Sequence, residues 1–314
     1  VEIKAELDKL SQQLRILIDP VIVRRSRIDL QEIKEYADDL KAQNIQFPKI
    51  VGPELVEYDL ADIRPLYLHT LDLLSNKFIC ARYNPSAYLV NPDAFMKQYG
   101  EFFGEMNIQL SQRNLAMFIK RLLVMRFESS KSAFKSTLTS ILSSYENIIK
   151  WWDKGYVPIK KSGYLPDPDD EEIQETLDEI KSIDEIGVDI NKIKKKAIPI
   201  EKSFFREEFI CAVKSDIELL KGIYTNWFES DEIGIDPKYN VVKKRISTSL
   251  AENPNRKIVV FSTYADTAEY VKDCLEKDGL KVLLYTGGAS QIDRSIVKRN
   301  FDASCKKEEQ LNEY

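Results

Sequence analysis

Two short polar turns carry the residue types most suited to chemistry in this chain of 314 residues. Phe261-Ser262-Thr263 closes an apolar run that begins at Lys257, and Thr286-Gly287-Gly288 follows a second run, Lys281–Tyr285. Small hydroxyls and glycines at such positions let backbone N–H groups approach a phosphate, and a helix that follows adds its positive end. Either turn by itself reads as no more than a tight turn; the pair is the more specific signal. Arginine offers another route to phosphate, and Arg24, Arg25 and Arg27 sit together while Arg294 follows the second turn. Covalent and metal chemistry have little to work with. His69 is the sole histidine, and Cys80, Cys211, Cys274 and Cys305 form no CxxC pair, which excludes a Cys/His zinc cluster and any triad that needs a second histidine. The scattered thiols read as filler and fit a reducing cytoplasm.

The elements that must position these turns follow from periodicity. Two continuously apolar strands, 257–261 and 281–285, joined by a helix ending at Gly279, predict a βαβ unit with a parallel sheet buried on both faces. Open α/β sheets place ligands at the carboxyl ends of their strands, where both turns fall. Two strands do not make such a sheet stable, so it is expected to draw on further strands, more readily after Tyr314 than before Asn253. Upstream the pattern is helical. Stripes spaced by three or four predict helices over 93–107, 111–127, 130–153 and 200–229, with Gly155 stopping the third. Earlier come a helical stripe over 1–18, broken at Asp19-Pro20, another over Leu30–Leu40, and a half-buried strand at Val56, Tyr58 and Leu60. The expected class is mainly α with a C-terminal α/β part, organised as 1–60, 61–252 and 253–314.

Charge decides little globally. The net charge of −5 makes the chain no general nucleic-acid binder, so phosphate contacts must come from local clusters. The segment Asp167–Asp189 is dense in acid and reads as a solvated helix or connection, with mimicry of nucleic-acid charge as the functional alternative. No apolar run reaches the roughly 18–20 residues needed to cross a bilayer, and the first twenty residues lack a signal-peptide pattern. Val1 suggests either a boundary within a longer parent or a processed end.

Order and spacing together carry a resemblance. The run Lys257-Ile-Val-Val-Phe-Ser-Thr-Tyr264, then a helix, then Tyr285-Thr-Gly-Gly-Ala-Ser-Gln-Ile-Asp-Arg294, then Phe301-Asp302, resembles motifs IV and IVa of superfamily II helicases, closest to the Swi/Snf-related double-strand translocases. The stretch Leu17–Asp29, with Arg24-Arg25 ahead of Arg27-Ile-Asp29, looks like that family's step from first lobe to helical protrusion, and Phe47-Pro48-Lys49 fits its next element. Arg126-Phe-Glu-Ser-Ser130 with Ala133-Phe134 resembles an R-x-x-S-S-x-x-A-F box of bacterial members. Between 60 and 250 little else matches.

The resemblance implies a helical protrusion domain followed by an incomplete RecA-like lobe, from a cytoplasmic, monomeric, ATP-dependent motor whose partners are double-stranded DNA and its own first lobe. Ser262, Thr263, Thr286, Gly287 and Gly288 are implied to meet one strand's backbone through hydroxyls and N–H groups, positioning without reading sequence. Arg294 is either a phosphate contact or a helix-surface ion pair. Arg24, Arg25 and Arg27 either grip phosphate or pin the connection by salt bridges. Ser129 or Ser130 is expected to cap the helix that follows. ATP and Mg²⁺ belong to the parent: the sequence has no G-x-x-x-x-G-K-(S/T), Asp169-Asp170-Glu171-Glu172 follows a proline-rich stretch rather than a buried strand, and motifs V and VI are expected beyond Tyr314. The chain alone is expected to hydrolyse no ATP. A helical adaptor with a small α/β appendage is the rival reading.

Overall fold

The computed structural model describes residues 27–42, 51–103, 107–160, 197–229 and 236–302, together with residues 10, 11, 13, 14, 305, 307–311, 313 and 314. The expected elements at Asp19-Pro20, Arg24-Arg25, Phe47-Pro48-Lys49 and the acidic stretch 167–189 lie outside the described residues, as does most of the stripe over 1–18. The chain divides into two units, Val1–Val56 and Glu57–Tyr314. In the first, α1 (Arg27–Glu32) and α2 (Lys34–Ala42) realise the Leu30–Leu40 stripe as helix, interrupted at Ile33. Neither this unit nor the next contains a strand at Val56, Tyr58 or Leu60; those residues are irregular and largely exposed. Alternation alone does not make a strand when no described neighbour takes its ladder hydrogen bonds.

The second unit is built on three long helices that share one apolar core: α5 (Ile108–Ser129), α6 (Lys131–Asp153) and α7 (Glu208–Phe228), preceded by α3 (Arg64–Asp72) and α4 (Pro92–Tyr99). Each of the three buries residues spaced by three or four: Ile119, Leu122 and Leu123 in α5, Phe134, Leu138, Ile141 and Tyr145 in α6, Phe209, Val213 and Leu220 in α7. Side chains start them where the sequence offers caps. Asn107 accepts from the Leu110 amide at 3.1 Å, and Ser130 accepts from the Ala133 amide at 3.1 Å. Gly155 stops α6, with φ of +91° and its amide on the Trp152 carbonyl, the left-handed step that glycine adopts without steric cost.

The start of the expected helix 200–229 is corrected. Residues Ala197–Glu201 form β2, which pairs antiparallel with β1 (Tyr156–Lys160), and α7 begins only at Glu208. Pro158 faces Pro199 across this ribbon; neither can donate, so they share a rung at which no ladder bond is exchanged. Val157, Ile159, Ile198 and Ile200 are buried, and that gain overrides helix periodicity at the 200–207 end. Phe205, expected on the helix, instead bridges Leu89.

One buried carboxylate organises the irregular segment between α3 and α4. Asp216 on α7 accepts from the Ile79 amide at 2.8 Å, the Ala81 amide at 2.9 Å and the Tyr145 hydroxyl at 3.0 Å. Between those two amides Cys80 is held at φ of +68°, a left-handed conformation rare for a residue with a side chain.

The C-terminal part contains α8 (Pro237–Glu252), α9 (Ala265–Lys277) and α10 (Gln291–Phe301), so the mainly α class with a small α/β part holds. The parallel ladder is not made. Residues 257–261 and 281–285 are without strand pairing among the described residues. Ile258, Leu280 and Val282 pack on a small core of Tyr239, Ile246 and Leu275, while Val259, Val260 and Phe261 stay exposed, Phe261 at 92%. The burial expected on both faces is therefore missing from the first run, whereas Val282, Leu283 and Leu284 of the second are half-buried. Gly279 ends α9 as expected, with φ of +85° and the Gly279 and Leu280 amides on the Glu276 and Leu275 carbonyls.

Replacing Asp216 by alanine strands two turn amides and a buried hydroxyl, and is expected to lower the unfolding free energy by about 3 kcal/mol in urea denaturation. Burial pushes the Asp216 carboxyl above its usual range, against the pull of the Ala81 and Ile79 amides and of Tyr145. The folded state then holds the proton more tightly than the unfolded one, so stability falls as pH rises from about 4 through the raised value. Measured against Asp216→Asn from pH 4 to 7, the unaltered chain should lose relative stability; a constant difference would refute the assignment.

Candidate functional site

The Ser262–Thr263 turn is exposed, and Ser262 is tied to its own neighbour: its hydroxyl donates to the Tyr264 carbonyl at 3.1 Å and accepts from the Tyr264 amide at 3.2 Å. Tyr264 is the N-cap residue of α9. The turn's orientation is therefore set by how that helix begins.

The start of α9 meets the box between α5 and α6. The Arg126 guanidinium, its side chain only 4% exposed, reaches Asp266 at 3.4 Å and stacks 4.2 Å from the centre of the Tyr264 ring. Ser129 and Ser130 each place a hydroxyl 2.8 Å from the Thr267 hydroxyl. Ser130 meanwhile caps α6, as its position predicts, so it has both a capping and a tertiary role. From α8, the Lys238 ammonium donates to the Glu128 and Ser129 carbonyls at 3.0 and 3.3 Å, a cation on the C-terminal end of α5. Four helix ends thus converge on residues 126–131. Beside them lies an apolar recess floored by Tyr67, Phe127, Phe134 and Trp227, in which Phe127 stacks on Tyr67 at 4.7 Å and meets Trp227 edge-on at 5.0 Å.

The far end of α9 is fixed as well. Asp278 accepts from the Tyr239 hydroxyl at 2.5 Å and from the Lys243 ammonium at 2.6 Å, both on α8. The Lys243 contact, then the Tyr239 hydroxyl, hold the Asp278 carboxyl below its usual range.

The second turn stands differently. Gly287 and Gly288 are exposed, Thr286 is half-buried, and the Thr286 carbonyl accepts from the Ala289 amide at 3.0 Å. A Cβ added at either glycine meets nothing within 4 Å, so the fold itself does not require glycine there. Ser290 and Asp293 form a reciprocal cap on α10: the Ser290 amide donates to the Asp293 carboxylate at 2.8 Å and the Asp293 amide donates to the Ser290 hydroxyl at 3.2 Å. Hydrogen bonds from Ser290 hold the Asp293 carboxyl below its usual range. The positive ends of α9 and α10 are thereby answered by Asp266 and Asp293, so a phosphate at either turn would rely on hydroxyls and free amides rather than on helix ends. Thr263, Gly287 and Gly288 donate no amide hydrogen bond among the described residues. Arg294 is exposed and has no acidic partner within 4 Å among the described residues. Arg24 and Arg25 fall outside the described residues, and of Arg27 only the backbone is described, as the first residue of α1.

Sequence reasoning points to one half of this cluster of contacts and not to the other. Arg126, Ser129, Ser130 and the turns were singled out; Tyr264, Asp266, Thr267 and Lys238 were not. An acid and a hydroxyl in the first turn of α9 read as ordinary helix-start residues, and nothing in their spacing points to partners some 140 positions away.

Part of this chain is similar to a helicase. An alignment of 96 residues at 30% identity matches it to an uncharacterized ATP-dependent helicase of Schizosaccharomyces pombe, covering 27% of this chain and 9% of that protein. The chain thus spans under a tenth of the length of that relative. No family model matches the chain, and no solved structure matches it. No helix among the described residues is long and apolar enough to cross a membrane.

Ser130→Ala removes a helix cap and a tertiary hydrogen bond together and is expected to cost about 2 kcal/mol, whereas Ser129→Ala removes only the second and should cost about 1. Urea denaturation of the two variants side by side measures the difference, and equal losses would show that the cap contributes nothing.

Proposed function

We propose that this chain is the coupling region of an ATP-dependent DNA helicase or translocase of the Swi/Snf-related superfamily II kind. In this reading the turns at 262–263 and 286–288 touch the backbone of one DNA strand, the helical part stands beside the duplex, and the rest of the parent supplies the nucleotide chemistry. The observation that carries it is the state of the two turns. Ser262, Thr263, Gly287 and Gly288 are exposed, both turns precede a helix in the order that motifs IV and IVa follow, and Thr263, Gly287 and Gly288 keep their amides free of partners among the described residues. The partial similarity to an ATP-dependent helicase supports the same direction.

Donors of this kind suit phosphate oxygens and do not discriminate bases, which fits a motor that must advance over any sequence. Arg294, exposed and unpaired among the described residues, adds a charge that a phosphate would answer. The residues present do not fit a nucleoside triphosphate. At the Gly287-Gly288 turn the Ser290 amide, at the start of the following helix, is already met by the Asp293 carboxylate, and no lysine follows the glycines as in a phosphate-binding loop. ATP and Mg²⁺ are accordingly assigned to the parent, and no step of this chain's residues runs through them.

Binding of the chain to a 25-base-pair duplex, read by fluorescence anisotropy between about 50 and 200 mM salt, tests the proposal. Two to four arginine–phosphate contacts predict a log–log salt slope of about −2 to −4, and Arg294→Glu should weaken binding and reduce that slope by at least about one. Affinity that ignores Arg294→Glu and the double change Ser262→Ala/Thr263→Ala would favour a helical adaptor instead. The parent gene offers a second check: a glycine-rich G-K-(S/T) loop is expected upstream and an arginine-bearing motor motif downstream.

A further inference from the structure

We infer that the corner formed by Arg126, Ser129 and Ser130 positions the Ser262–Thr263 turn, with Arg126 acting through Tyr264 and Asp266 to set where that turn presents its hydroxyls and amides. The inference rests on reading the turn as a nucleic-acid backbone contact, and it names the residues outside the turn on which that contact depends.

The chain of contacts is short. Arg126 stacks on the Tyr264 ring at 4.2 Å, and the Tyr264 backbone exchanges two hydrogen bonds with the Ser262 hydroxyl, so one residue separates the guanidinium from the candidate contact. Asp266 and Thr267, the next residues of the same helix start, are held by Arg126, Ser129 and Ser130. On its other side the turn has no comparable support. Val259, Val260 and Phe261 run up to it exposed and outside any ladder. The C-terminal end of α9 is tied through Asp278 to Tyr239 and Lys243, which keeps the helix from sliding when its first turn is loosened.

The side-chain types suit the task. A guanidinium can lie flat on a ring and address a carboxylate with its edge at the same time; an ammonium offers a point charge and cannot do both in one geometry. The α5–α6–α7 core packs through Phe127, Phe134 and their aliphatic neighbours, while the Arg126 contacts just described reach across to α9. Arg126 is a positioning residue, not a contact to the nucleic acid: its guanidinium is buried and already shared between a ring and a carboxylate.

The test uses the whole chain and two readouts. Arg126→Lys is expected to speed exchange of the hydrogen-bonded Tyr264, Thr267 and Ala268 amides about tenfold while leaving core amides of α5, α6 and α7 protected, and to weaken duplex binding several-fold. Ser262→Ala/Thr263→Ala should weaken binding as well, and adding Arg126→Lys to it should cost little more, because both act on one contact. Should Arg126→Lys fail to fold, Thr267→Val loosens the same helix start without touching a buried charge and carries the same expectations. Faster exchange with unchanged DNA affinity, unchanged exchange, or strictly additive losses in the combined variant each overturn the inference. Absence of DNA binding by the unaltered chain overturns the functional reading itself, and no variant is needed to see it.

Discussion

A buried cation must be paired, and in this molecule that requirement fixes where the C-terminal helices go. Taking a guanidinium out of water costs several kcal/mol unless the protein replaces its hydration. Arg126 sits at the last turn of α5 with almost no exposed side-chain surface, and the Tyr264 ring and the Asp266 carboxylate, which stand in for water beside it, both come from the start of α9. The Ser129, Ser130 and Thr267 hydroxyls add direction to a contact whose electrostatics alone would tolerate several poses. Once α9 is seated there, Asp278 at its other end meets α8, and α8 returns Lys238 to the C-terminal carbonyls of α5. The circuit closes on the residues where it began.

The helical part was legible in the sequence because its signals are local. Asn107, Ser130 and Gly155 mark helix ends by chemistry that acts within four residues, and the stripes of α5, α6 and α7 report a shared core without naming the partner. What failed was local pattern overruled by pairing at a distance. Residues 200–207 keep an apolar spacing compatible with helix, yet β2 forms because β1 lies across from it, and each of the two strands carries a proline, Pro158 and Pro199, of the kind that usually argues against a strand. The alternation at Val56, Tyr58 and Leu60 failed in the opposite sense: it describes a surface that a neighbour must complete. Arg126 shows the same limit at the site. Its type and spacing drew attention to it, but the identity of Asp266 and Tyr264 as its partners is a property of the fold.

The two apolar runs of the C-terminal part show how far the helices alone can organise an α/β segment. Ile258 and Val282 reach the Tyr239–Leu275 core, so each run is held on one side by α8 and α9. The ladder is a separate matter. A two-stranded parallel pair gains few hydrogen bonds and leaves apolar surface in water, whereas helix burial needs no ladder. The exposure of Val259, Val260 and Phe261 is the residue-level expression of that difference. The strand-end turns keep their place even so, because they are anchored from the helix side.

That anchoring also decides what kind of contact the turns can make. Both helix starts already carry a carboxylate, Asp266 under Arg126 and Asp293 under Ser290, and the chain has a net negative charge, so attraction of a polyanion by helix dipoles or by overall field is weak here. What remains are neutral donors of fixed geometry and an arginine at 294. Neutral donors are sensitive to position: a hydrogen bond weakens steeply once distance and angle drift, whereas a surface charge tolerates displacement. A site of this composition depends on the stiffness of its support more than on its charge. The molecule puts that support at the start of α9, where a buried arginine, two serines and a threonine tie the turn to the largest core it has.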